Sequence, residues 1–205
     1  SYMFETSQAP EVMHWFKAIS DIPRGSFNEK GMADFVEKFG QDRQLATYRD
    51  AKDNILISLP ATPGFEDRPG IILQGHMDMV CEKVEGSDHN FETDPLQLQV
   101  DDGWLSAKDT SLGGDDGIAV AYMLAFLDGD YPHPYLECLF TTEEEVGMGG
   151  AIAFDTSLLK GKYLFNIDGE IENDLLVGCA GGLTFIAEKD LEWVPAKIAQ
   201  AYKIK

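Results

Sequence analysis

Three short apolar runs in this chain each stop at a residue able to hold a metal. Residues 71–74 lead into Gly75-His76-Met77-Asp78, residues 135–141 into Glu143-Glu144-Glu145, and residues 163–167 into Asp168. Apolar runs of this length between turn-rich stretches read as buried strands. In open α/β sheets, sites form at the carboxyl ends of the strands. The chain is therefore constrained to a sheet that carries these strand ends to a common edge.

The remaining pattern supplies the layers around that sheet. Helical spacing predicts a helix over 11–19, with Val12, Met13, Trp15, Phe16 and Ile19 inward, broken by Ile22-Pro23-Arg24-Gly25. A second helix is predicted from a cap at Asn28 through Phe39, with Met32, Phe35, Val36 and Phe39 inward. Strands are expected at 45–48 and 54–59, and a hairpin at 96–100 and 104–107 around Asp101-Asp102-Gly103. Asp116 is expected to cap an apolar helix over 118–127, and a further helix covers 147–154. A second hairpin is expected at 175–177 and 183–187 around Gly178-Cys179-Ala180-Gly181-Gly182, and 201–205 reads as the opening of a strand that nothing closes. Strands alternating with helices and hairpins give an α/β sandwich with mixed strand directions.

Composition narrows the class of partner. With 44% hydrophobic and 11% aromatic residues the chain can bury a core. Sixteen basic against 36 acidic residues leave a net charge of −20, which argues against nucleic acid and anionic membranes, since both require facing positive charge. Cys81, Cys138 and Cys179 are odd in number and lack metal spacing, so they read as reduced core residues of a cytosolic protein. Neither a signal-like opening nor a long apolar span is legible, which speaks against secretion and membrane insertion.

Each candidate constellation has an ordinary reading beside the chemical one. His76 and Asp78, two apart at a strand end, point the same way. A carboxylate at that spacing can hold the second ring nitrogen of a ligand histidine; the ordinary reading is a histidine beside a surface acid. In Thr110-Ser111-Leu112-Gly113-Gly114-Asp115-Asp116-Gly117 the glycines let backbone approach an ion, and one aspartate could bridge two metals where capping needs a single acid. Among Glu143-Glu144-Glu145, one glutamate would bind metal while its neighbour takes a proton from water; acids offsetting a helix dipole are the alternative. A calcium loop at Asp168 is rejected because Asn173 stands where the loop needs glycine. His14, His89 and His133 suit surface roles. No Gly-x-Ser-x-Gly, P-loop or strand-linked Gly-x-Gly-x-x-Gly is present, which removes the usual serine hydrolase, nucleotide triphosphatase and dinucleotide readings.

Taken in order, Ile22-Pro23-Arg24-Gly25, the 72–82 stretch around Gly75-His76-Met77-Asp78, the 110–117 loop, 141–148, Asn166-Ile167-Asp168 and 177–182 closely resemble the aminoacyl-histidine dipeptidases. These are cytosolic dizinc peptidases of the M20 metallopeptidase clan. The resemblance implies a three-layer, zinc-peptidase-like α/β sandwich with a mixed central sheet. It implies two Zn2+ per complete site, with His76 and Asp168 on one, Asp115 bridging both, and Glu145 on the second. Glu144 would be the general base and Asp78 would orient His76. Family members usually show Leu-Gly-Ala-Asp-Asn-Gly at 112–117, which makes Asp115 the bridge and Asp116 the cap, with a cis peptide after the bridge. The implied substrate is a dipeptide, Xaa-His or another unblocked one; a related deacylase or aminopeptidase, or a non-catalytic metal-binding domain, are the alternatives. The family also implies residues 1–187 as the front of the catalytic domain and 188–205 as the start of a lid domain. The final zinc ligand and the lid are expected beyond residue 205, leaving this stretch inactive alone and the full-length protein a homodimer.

Overall fold

The computed structural model of the chain describes residues 7–169, 171, 173–179, 181–192 and 194–195. It comprises two compact units, Ser1–Glu170 and Ile171–Lys205. In the first, helices α1 (Pro10–Ser20) and α2 (Lys30–Asp42) precede strands β1 (Ala46–Arg49), β2 (Ile55–Leu59) and β3 (Ile71–His76). Then come β4 (Leu98–Asp101), β5 (Trp104–Ala107), α3 (Gly114–Asp128), β6 (Leu136–Thr141), the short α4 (Gly149–Ala153), a 3-10 turn (Thr156–Leu158) and β7 (Tyr163–Asn166).

Five strands form one sheet in the order β1-β2-β6-β3-β7. β2 runs antiparallel to β1 and β6, whereas β3 runs parallel to both β6 and β7. The register sets His76 opposite Thr141 and Gln74 opposite Asn166, so three neighbouring strands finish at one edge. β4 and β5 pair separately, joined by Asp102 and Gly103, both at positive φ, as a tight two-residue hairpin turn requires.

Side chains on successive strand residues face opposite ways, and both faces are used. Ile55 and Ile57 of β2 and Leu136, Cys138 and Phe140 of β6 pack with Val12, Phe16 and Ile19 of α1, Met32 and Val36 of α2, and Val120, Met123 and Leu124 of α3. The intervening Leu56, Ile72 and Leu139 face the other side, covered by Phe154 with Leu158 and Leu159. Each such burial contributes about 1.5–3 kcal/mol. Structured segments thus cover both faces of a mixed sheet, as the sequence reading expects.

Five details differ from that reading. Asn28 does not cap α2: the helix begins at Lys30 with Glu29 in the cap position, and no side chain caps it. No side chain caps α3: Asp115 and Asp116 have non-helical dihedrals within its first turn, and the Asp116 carboxylate accepts from the His76 backbone N–H instead. α4 is shorter than 147–154 because Gly147 and Met148 sit at positive φ and hold the chain out of the helix. Residues 175–177 and 183–187 carry no strand; Leu175, Val177, Leu183 and Phe185 are exposed, and a lone two-stranded hairpin without a surface to pack on is marginal in water. Ala180 and 201–205 lie outside the described residues. Finally, Cys138 is a core residue but Cys81 and Cys179 are exposed, while His133 is buried with its Nδ1 2.6 Å from Pro134 O. His14 is exposed and His89 half-buried.

Gly75 fixes how closely α3 lies over β3. A Cβ there would come within 2.6 Å of Ala119 Cβ and 2.8 Å of Asp116 Oδ2. Gly75→Ala should therefore lower stability by about 1–3 kcal/mol, as overpacking does elsewhere. A denaturant midpoint equal to that of the parent chain would contradict this packing.

Candidate metal centre

The strand edge described above collects donors from four segments. His76 closes β3, Glu144 and Glu145 follow β6, Asp168 follows β7, and Asp115 lies in the first turn of α3. Ligand atoms of His76, Asp115 and Asp168 lie within 4.8 Å of one another, and so do those of His76, Glu144 and Glu145. The two groups share the imidazole. His76 Nε2 is 2.9 Å from Asp115 Oδ1 and 3.7 Å from Glu144 Oε2.

Burial is graded across the site. His76, Asp78 and Asp116 are buried, Glu144, Glu145 and Asp168 are half-buried, and Asp115 is exposed. An open cleft of about 210 Å³ runs along Gly114, Asp115, Asp116, Ile167 and Asp168. A larger hollow of about 380 Å³, lined by Glu82, Lys83, Asp109 and Ser111, gathers no comparable donor set.

Asp78 organises the base of the site. His76 Nδ1 lies 3.0 Å from Asp78 O and 3.2 Å from its Oδ1. With its proton on Nδ1 the imidazole donates there and turns the Nε2 lone pair toward the acids. The Asp78 carboxylate also accepts from Ser26 Oγ (2.7 Å) and from the backbone N–H groups of Glu144 (3.0 Å) and Glu145 (3.2 Å). Burial alone would lift this acid, but the hydrogen bonds from His76, Ser26 and Glu144 outweigh it and hold Asp78 below the usual carboxylate range.

The two preceding amides are held similarly. Asn54 Oδ1 accepts from Thr142 N (3.1 Å) and Glu29 Oε1 from Glu143 N (2.9 Å). Four successive N–H groups, from Thr142 to Glu145, thus end on side chains of Asn54, Glu29 and Asp78. The Glu143 carboxylate pairs with Lys52 at 2.9 Å, away from the donors.

Burial and mutual repulsion act together on these acids. Burial above all, helped by the charges of Asp168 and Asp115, pushes Asp116 up to about 8 against the pull of His76. Burial foremost, and then the charge of Asp115, also lifts Asp168 and Glu145. Burial disfavours the His76 charge, yet its hydrogen bond to Asp78 and the charges of Asp116 and Asp78 raise it to about 9. One imidazole nitrogen and several carboxylate oxygens, close together and mutually repelling, fit a hard-to-borderline divalent ion such as zinc.

The site residues expected from the sequence, His76, Asp78, Asp115, Glu144, Glu145 and Asp168, thus stand together, whereas Glu143 turns away to Lys52. Sequence reasoning missed the support: Arg24, Ser26, Glu29 and Asn54, together with the role of Gly75. The Arg24 side chain, 2% exposed, donates to Met77 O (3.1 Å) and Gly113 O (2.5 Å). Its signal was a charge inside a Pro-Arg-Gly break, which reveals nothing about partners 53 and 89 residues away. Two glycines at the start of α3 also have a different use: a Cβ at Gly113, just before the helix, or at Gly117, within its first turns, would come within 2.5 Å of Arg24 Nη2. The peptide between Asp115 and Asp116 is cis.

Comparison with known proteins agrees with the motifs. No protein-family profile matches the chain. The cytosol non-specific dipeptidase of Escherichia coli K12 is 39% identical over 199 residues, covering 95% of this chain and 41% of that protein. The aminoacylhistidine dipeptidase structure from Vibrio alginolyticus superposes with a TM-score of 0.80 at 38% identity, over 82% of this chain and 35% of that one. Aminopeptidase PepT of Bacillus cereus shares the fold, with a TM-score of 0.65 at 23% identity over 78% of this chain and 43% of that one. The chain spans about two fifths of the length of the curated dipeptidase it matches. Over that stretch the chain is similar, in sequence and in fold, to these two dipeptidases.

Proposed function

We propose that this chain supplies the metal-binding core of a metal-dependent dipeptidase acting on unblocked dipeptides, Xaa-His among them. The observation that carries the reading is the pair of donor groups meeting at His76. The names of the relatives support the substrate class: one is a non-specific dipeptidase of the cytosol and the other an aminoacylhistidine dipeptidase. We place the protein in the cytoplasm on the same ground; among the described residues no helix is long and apolar enough to cross a membrane.

In this reading His76, Asp115 and Asp168 would hold one zinc, and Glu145, together with Asp115, a second. Bound divalent ions supply Lewis acidity toward the peptide carbonyl and lower the pKa of water. Glu144 takes the proton of the attacking water at a carboxylate oxygen and returns it to the departing amine. Asp78 keeps the His76 proton on Nδ1, and its grip on the Glu144 and Glu145 amides fixes where base and ligand stand. Residues 1–187 then belong to the catalytic domain and 188–205 open a lid through which the whole enzyme dimerises.

Both glutamates fall in one donor group, so their division of labour is the point to test. The 199 aligned residues can be exchanged into the Escherichia coli dipeptidase. The chimera should hydrolyse dipeptides. Glu144→Gln should cut turnover by about 10²–10⁴-fold, the usual contribution of a general base, while the metal content stays the same. Glu145→Gln should instead lose metal. Activity surviving Glu144→Gln would reject the assignment.

Metal uptake should also depend on pH with a defined sign. Neutral imidazole is the ligand, and His76 stands raised from 6.5 to about 9, so uptake must expel a proton at neutral pH. Zinc affinity of the chain should rise by about tenfold per pH unit between pH 6.5 and 9 and then level off. Calorimetry in buffers of different ionisation heat checks this; a pH-independent affinity would contradict it.

A further inference from the structure

Between α1 and α2 runs a short loop that carries none of the candidate ligands. Three of its side chains nevertheless end on three different segments bearing or flanking them. Arg24 donates through Nη1 to Met77 O (3.1 Å), next to His76, and through Nη2 to Gly113 O (2.5 Å), two residues before Asp115. Ser26 donates to Asp78 Oδ2 at 2.7 Å, and Glu29 accepts from Glu143 N at 2.9 Å. The loop backbone joins in: Arg24 O accepts from Met79 N at 3.1 Å, and Gly25 bridges to Met79. Arg24 and Glu29 are 2% and 5% exposed, so these bonds are shielded from water.

We propose that the 24–29 loop is the positioning element of the metal centre, holding the His76, Asp115 and Glu144-Glu145 segments at fixed spacing before any ion arrives. Its geometry stands by itself; its purpose rests on the metal reading above. The need for it is electrostatic. Asp115, Glu144, Glu145 and Asp168 repel one another without a cation, and three of them sit on loops that strand pairing does not restrain. A site is pre-organised only when such groups are locked by supporting bonds. Burying a guidinium costs free energy in the absence of partner charge. Burial lowers the Arg24 pKa to about 10 against the opposing charges of Asp78, Asp116 and Asp115, so the group stays ionised at neutral pH. Its charge therefore offsets part of the repulsion while its two arms tie β3 to the start of α3. Ser26 holds the same Asp78 carboxylate that grips Glu144 and Glu145, and Glu29 fixes the amide just before them.

Amide hydrogen exchange by NMR on the 205-residue chain tests the clamp without metal, and cobalt(II) titration followed by visible absorption tests its purpose. Ser26→Ala should speed exchange at Glu144 and Glu145, and Glu29→Ala at Glu143, by about tenfold or more beyond any change at Cys138 and Leu139 in β6. Glu29→Gln keeps the accepting oxygen and should restore parental exchange. Both alanine variants should bind cobalt(II) about tenfold or more weakly, with Glu29→Gln close to the parent. Exchange rising equally in β6 and at 143–145, or not rising at all, would overturn the clamp. Loosened loops with undiminished cobalt affinity would overturn its link to the site. A parent chain that binds no cobalt would reject the metal reading, while the exchange data still decide the clamp.

Discussion

Asp78 is fully buried, and its carboxylate is shared among His76, Ser26 and the N–H groups of Glu144 and Glu145. A buried carboxylate is costly unless such partners are present, and unpairing one of them leaves the rest with an unsatisfied charge. The arrangement therefore behaves as a unit. It sets the imidazole tautomer on one side and the position of two acidic residues on the other, so the two candidate donor groups share one buried support. The candidate ligands lie nearer the solvent above it, with Asp115 the most open.

The sheet makes this convergence possible. β6, β3 and β7 run parallel, so the segments that follow them emerge at one edge, and α3 crosses over β3 closely enough to add Asp115 and Asp116. Asp116 then joins strand to helix by accepting from the His76 N–H at 3.1 Å. Packing and chemistry meet in Gly75: the lack of a side chain that lets the helix approach also brings the acids to the imidazole.

What the sequence made legible follows from locality. Apolar period and run length identify β2, β3, β6 and β7 and the helices before them, and a ligand-type residue just past a strand end advertises itself. His76, Glu144, Glu145 and Asp168 were visible for that reason and Asp115 through the glycine-rich loop before a helix, while which acid plays which part was implied by the family resemblance alone. Arg24, Ser26, Glu29 and Asn54 were not, because their role lies in contacts spanning 52 to 114 residues, which no local pattern encodes. Asp116 was misassigned as a cap because capping and strand-bridging call for the same acid in the same place. The 175–187 hairpin was expected from two short runs around a glycine-rich turn, yet such runs form strands only where a surface buries one face, and Val177, Leu183 and Phe185 are exposed.

The central point of the proposal is that His76 and Asp168 hold one divalent ion and Glu145 a second, with Asp115 serving both. Anomalous diffraction from crystals of this chain grown with zinc tests it most directly. The account predicts a strong peak within bonding distance of His76, Asp115 and Asp168, and a weaker one beside Asp115 and Glu145. Diffraction showing no ordered zinc among these residues, or Asp115 turned away from an ion held elsewhere, would contradict it.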